Sequence, residues 1–233
     1  MKSFLARLAD SPKFSGQKDI LLTVLPAGLW LSGILLRPFV IATRCTIEGA
    51  CTPESVNRID RMSLGVAWSL ADGLSFELQN ATIVCGILLA FVYHALRGQR
   101  WRLAFEDLTL WAQVALWNGF FMELTRLAVQ RPRPFVYANP LVLGTEAAHY
   151  VSFYSGHTSF VAATWASLAL SALARKAHAA VILGILLIWE IVPAMTGYFR
   201  IQAGRHFLSD VIVGMLAGTC VALGVHAVHR QKK

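Results

Sequence analysis

Apolar residues along the chain gather into long runs at 20–43, 81–96, 103–124, 159–173, 179–199 and 207–225. A helix crossing a bilayer needs about 20 apolar residues. The pattern therefore predicts an all-α fold, an integral membrane bundle of six transmembrane helices. The first run does not read as a cleaved signal, because its basic leader is long and no small-residue cleavage site follows. Two connecting segments are long. Residues 45–79 begin polar and then place Val56, Ile59, Met62, Val66 and Leu70 at helical spacing. That suits an amphipathic helix that lies on the membrane, or one packed on its own bundle. Residues 131–156 carry Pro132, Pro134 and Pro140 and read as a loop. No internal repeat or low-complexity segment appears. The chain is expected to form one membrane-embedded domain over 1–233, with a polar segment at 1–19, an outer loop or cap at 44–80 and an active-site loop at 125–158.

Composition supports the membrane reading. Hydrophobic residues make up 56% and charged residues 15%, against about 25% charged in soluble domains. A soluble enzyme, a disordered chain and a small disulfide scaffold are excluded on these figures. The net charge is +8. If both termini are cytoplasmic, 12 of the 21 basic residues, including every lysine, fall in short segments on that side. Such a bias is what topology alone produces, so nucleic acid is not an expected partner. The remaining basic residues are all arginines on the opposite face: Arg37, Arg44, Arg58, Arg61, Arg126, Arg131, Arg133, Arg200 and Arg205. Cys45 and Cys51 lie in the polar outer stretch, which suggests a short-loop disulfide in an oxidising compartment. Cys85 and Cys220 lie in apolar runs and read as inert packing.

Four polar clusters interrupt the pattern, and all fall at the outer ends of the expected helices. They are Arg126 with Arg133 and Pro134, the run Tyr154-Ser155-Gly156-His157, Arg200, and His206 with Asp210. Helix N-termini at Gly156 and near His206 offer free N–H groups and positive dipole ends to an anion. Glycine at 156 lets a bound group approach the backbone. Arg126, Arg133 and Arg200 add planar donor forks suited to phosphate oxygens. His206 and Asp210 stand four apart, on one helix face, where a carboxylate can orient an imidazole. That marks His206 as a candidate nucleophile towards phosphorus and His157 as a candidate general acid. Arg131 and Arg205 stand beside these residues and either contact a second anionic group or face solvent.

The order Arg126-x6-Arg133-Pro134, Ser155-Gly156-His157 and Arg200-x5-His206-x3-Asp210 resembles the type 2 phosphatidic acid phosphatases. These share a superfamily with bacterial acid phosphatases and vanadium haloperoxidases. The resemblance implies a phosphatase with no metal and no cofactor, working through a phosphohistidine. His206 would be its nucleophile, Asp210 the orienter and His157 the general acid. Arg126, Arg133, Arg200, Ser155 and Gly156 would hold the phosphate. Three positions depart from the family motifs: Arg126 stands for lysine, Tyr154 for proline and Phe199 for serine. The implied substrates are lipid phosphates or pyrophosphates: undecaprenyl pyrophosphate, phosphatidylglycerol phosphate, phosphatidic acid or lipid A phosphates. The expected location is a bacterial inner membrane with the site facing outward, in contact with membrane lipids. Two rival readings are a phosphotransferase that uses a lipid hydroxyl as acceptor, and a transporter of anionic lipids or ions. The clustering of the polar groups at one depth disfavours transport. Glu190, roughly 15 Å below Arg200 along a helix, is expected to be functional or paired.

Overall fold

The computed structural model describes residues 10–98 and 101–230. Within them the chain is helical throughout, with no strand. The long helices are α1 (Gly16–Val40), α2 (Ser69–Leu96), α3 (Trp101–Val129), α4 (Gly156–Ala174), α5 (Ala179–Gln202) and α6 (Leu208–His229). Lys2, Arg7, Arg100, Lys232 and Lys233, which bear on topology, lie outside the described residues.

Four helices are long and apolar enough to cross a bilayer: α1, α2, α5 and α6. They mark the chain as a membrane protein. Of the other two, α4 forms the inside of the bundle. Fifteen of the 19 residues of α4 are buried, most of them Ala, Ser and Thr. A helix that meets protein all round gains more from close approach than from large apolar side chains. At Gly218 of α6 an added Cβ would stand 2.1 Å from the carbonyl oxygen of Ser159, so α4 and α6 touch backbone to backbone there. α3 exposes apolar side chains such as Phe105 and Leu124 on one side and turns a polar face inward. It carries Asp107, Gln113, Asn118, Glu123 and Arg126, all buried. Their partners come from neighbouring helices. Arg175 lies 2.9 Å from Glu106 and 3.0 Å from Asp107, and His94 meets Asp107 at 2.8 Å. The acids near the start of α3 thus close one end of the bundle.

Several expectations need correction. α2 begins at Ser69, twelve residues before the apolar run at 81. The amphipathic helix expected across Val56 to Leu70 does not form. Short 3-10 turns at Pro53–Ser55 and Asp60–Ser63 take its place, and the last residues of the segment open α2. Val56 and Asp60 are buried while Ile59 and Met62 are exposed, so the loop is held by a few anchors and not by one apolar stripe. Cys85 and Cys220 are exposed on their helices and not packed inside. Glu190 is exposed on α5. Cys45 and Cys51 are bonded to each other, in a buried cluster with Ile41, Val136 and Tyr150.

The candidate active site

Because successive helices run in opposite directions, the C-terminal ends of α1, α3 and α5 meet the N-terminal ends of α2, α4 and α6. All the motif residues lie at this end. Arg126 is in the last turn of α3 and is buried. Arg133 precedes the turn Pro134–Ala138, and its N–H is held by the carbonyl of His149 at 2.9 Å. Ser155 is the N-cap of α4. Its N–H donates to the Asp210 carbonyl at 3.0 Å, and its hydroxyl meets Thr158 at 2.9 Å. α5 ends in a left-handed residue, Gly204 (φ 66°). There an added Cβ would stand 2.7 Å from the Val66 carbonyl oxygen. This tight turn carries the chain from Arg200 to His206, whose N–H still donates to the Arg200 carbonyl at 3.3 Å.

The orientation of His206 is settled by a backbone atom. Its Nδ1 lies 2.7 Å from the carbonyl oxygen of Ser152. A carbonyl can only accept, so Nδ1 carries the proton and Nε2 keeps its lone pair. Burial drives the imidazole pKa down to about 3, with Arg200 and Arg133 adding to the drop against the opposing pull of Asp210. The ring is therefore neutral at pH 7. Asp210 stands 3.7 Å from Nδ1, beyond hydrogen-bonding reach. Its carboxylate is spent elsewhere: on the Ser152 hydroxyl at 2.6 Å, the Phe207 N–H at 2.9 Å and Arg131 Nη1 at 2.6 Å. Asp210 thus acts on His206 mainly through Ser152, which its hydroxyl bond locks in place, and secondarily through its charge.

The arginines surround this imidazole. Arg126, Arg133 and Arg200 each have a buried Nε with no hydrogen-bond partner. Leaving such a donor unmade costs about 1–3 kcal/mol, so the three together favour a group that brings several acceptors. Arg133 feels its neighbours: burial, then Arg126, Arg200 and Arg205, lower its pKa to about 9, which leaves it charged at neutral pH. Asp72, in the first turn of α2, binds Arg200 and also Arg205, the latter at 2.8 Å. Together with Phe76 and His157 these residues line an open pocket. The rings of Phe76 and His157 are 6.2 Å apart. Behind Arg126, Glu123 pairs with Arg37 of α1 and lies 4.0 Å from Arg126 Nη1, so the buried guanidinium has a counter-charge that does not occupy the pocket.

Arg131 does not face solvent. It reaches Asp60 at 2.7 Å, Asp210 at 2.6 Å and the Ser209 hydroxyl at 2.7 Å, with its guanidinium 3.9 Å over the Phe207 ring. Asp60 also accepts the Ser209 N–H at 2.9 Å. Burial would raise the Asp60 pKa, but the bonds from Arg131 and Ser209 outweigh it and hold the carboxyl below its usual range. Sequence reasoning missed Asp60, Asp72, Glu123 and Ser152. The acid in the first turn of a helix was a readable signal for Asp72, had the start of α2 been placed at Ser69. For Ser152 there was none, because the atom that matters is a main-chain oxygen.

Of the departures from the family motifs, Phe199 packs on Trp68, with ring centroids 5.8 Å apart. Tyr154 is buried, its hydroxyl without a hydrogen-bond partner, and burial pushes its pKa up. Gly156 is required by close approach: an added Cβ would stand 2.7 Å from Met122 Sδ and 2.8 Å from Arg126 Nη2. Both are ends of flexible side chains, so Gly156→Ala should fold but displace Arg126. A melting temperature within a few degrees of wild type, with affinity for inorganic phosphate down by about tenfold, is the expected result. Unchanged affinity would show that the position of Arg126 is not critical. Among the described residues no group of three or more His, Cys, Asp or Glu is arranged to hold a metal ion.

The family model described as PAP2 superfamily matches residues 107–233. No curated protein matches the chain, and no solved structure does.

Proposed function

The chain belongs to the PAP2 superfamily, whose members are generally phosphatases, and from that premise we propose that it removes phosphate from a membrane lipid through a phosphohistidine on His206. The observation that carries this reading is the set of three buried arginine Nε donors without acceptors around an imidazole whose Nδ1 is already committed. A phosphate supplies the acceptors, and the lone pair on Nε2 is the nucleophile.

In the first step Nε2 attacks phosphorus and the bond to the lipid oxygen breaks. The electron pair leaves with that oxygen, which takes a proton from His157. In the second step His157 accepts a proton from water, and the hydroxide formed attacks the phosphohistidine. Inorganic phosphate leaves and neutral His206 is restored. Arg126, Arg133 and Arg200, with the N-terminus of α4 at Ser155 and Gly156, offset the charge that builds on the phosphoryl oxygens. No step in this scheme calls for a metal ion.

The lipid assignment follows from the surroundings. All six long helices would span the bilayer, with both termini cytoplasmic and the arginine layer at the outer face of a bacterial inner membrane. The headgroup then meets the arginines while the tail stays in the hydrocarbon. The test is phosphate release by detergent-purified protein, in EDTA, across lipid phosphates and diphosphates. Release from at least one lipid that survives EDTA is the expected result. Release that EDTA abolishes would replace the metal-free scheme. Release that appears only with an added acceptor alcohol would make the protein a transferase.

A further inference from the structure

Asp72 stands where a phosphate site would not be expected to hold a carboxylate. It lines the pocket together with His157. It takes up Nη1 of Arg200, and Nε and Nη2 of Arg205 at 3.2 and 2.8 Å. Its side chain stays 40% exposed, so one edge of the carboxylate faces whatever occupies the pocket. It comes from α2, outside the residues that the family model matches.

We infer that Asp72 is a specificity residue that selects phosphomonoesters over diphosphates. The inference rests on the phosphatase reading above and narrows its substrate class. His157 protonates the departing oxygen, so the leaving group lies on the His157 side of the phosphorus, which is the Asp72 side. When a monoester is cleaved, the leaving group is an alcohol. Its hydroxyl is neutral once protonated and can donate a hydrogen bond to the carboxylate. When a diphosphate is cleaved, the leaving group is itself a phosphate. It would carry one or two negative charges to within a few ångströms of Asp72, in a partly buried site where like charges repel strongly. Arg205, the cation best placed to receive that second phosphate, has its Nε and one terminal nitrogen already bonded to Asp72. The carboxylate thus repels the second phosphate and withholds the cation that would attract it. Asparagine at this position keeps the shape and an acceptor for the arginines but removes the charge.

The experiment uses the full chain in detergent, with farnesyl phosphate and farnesyl diphosphate as substrates that share one tail. Wild type should show kcat/KM higher for the monoester by about tenfold or more. Asp72→Asn should narrow that ratio by about tenfold, chiefly by raising the diphosphate arm. Asp72→Glu, which restores the charge, should keep the monoester preference. A ratio unchanged in Asp72→Asn, or both arms falling together, overturns the inference. Calorimetric Kd values for inorganic phosphate and pyrophosphate on the same preparations separate its fate from that of the phosphatase reading. If neither lipid is turned over but Asp72→Asn improves pyrophosphate relative to phosphate, the hydrolytic reading fails and the charge selection stands. If neither lipid is turned over and the Kd ratio does not move, both fail.

Discussion

His206→Asn is expected to lower phosphate release by at least about a thousandfold while the bundle stays folded. Asparagine can place a side-chain N–H where Nδ1 now stands and so donate to the Ser152 carbonyl. The buried acceptor therefore keeps a partner, and the desolvation cost of an orphaned carbonyl is avoided. What disappears is the lone pair on Nε2. Arginines and helix N-termini alone still bind the phosphate, so substrate or vanadate should continue to protect the variant against thermal unfolding. Loss of turnover with retained protection is the combination that separates a catalytic role for His206 from a structural one. Release within about tenfold of wild type would move the nucleophile elsewhere and leave His206 a structural histidine.

The second large effect concerns stability. Arg131→Ala is expected to destabilise the folded protein by about 3–5 kcal/mol. Asp60 and Asp210 are both fully buried, and Arg131 is the cation that bridges them. Removing it leaves two carboxylates close together in a desolvated site, with only neutral donors, namely hydroxyls, backbone N–H groups and the Asn57 amide, to hold them. The effect is larger than for a surface pair because neither acid can turn to water. It would appear as a fall in melting temperature in detergent, with a parallel loss of activity as Asp210, which anchors Ser152, loses its cation. Asp60→Asn in the same background should recover part of the loss, since it removes one of the stranded charges. A melting temperature unchanged in Arg131→Ala would mean that the carboxylates do not depend on this bridge.

These two residues show how unevenly the molecule can be read from its sequence. The place of His206 among the arginines was legible because Arg200, His206 and Asp210 stand at fixed spacings across one short turn. The direction of the hydrogen bond that prepares it was not legible, since Ser152 acts through its main chain. Arg131 stood next to the motif with no sign of its partners, which arrive from residues 60 and 210. The start of α2 was hidden because its first turns face the polar end of the bundle, where Asp72 and Ser75 meet Arg200. An apolar window finds a helix only where the helix touches lipid or core. The inner helix α4, which meets protein on most sides, is built largely of Ala, Ser and Thr, whereas α1, α2, α5 and α6 are long and apolar enough to cross a bilayer.

Residue order alone was enough to establish a helical membrane bundle, membership of a phosphatase family and the gathering of basic and imidazole side chains at helix ends. Those properties follow from local spacing, from hydropathy and from the fixed polarity of a helix, none of which needs a partner far along the chain. Only the packed bundle decided that Asp210 is shared between Arg131 and Ser152, that Glu123 balances Arg126 from within, and that Asp72 sits among the arginines. Each of these depends on which charges are buried together, and burial is a property of the assembled helices: the same carboxylate is solvated and neutral in effect on a loop, and decisive once water is removed from around it.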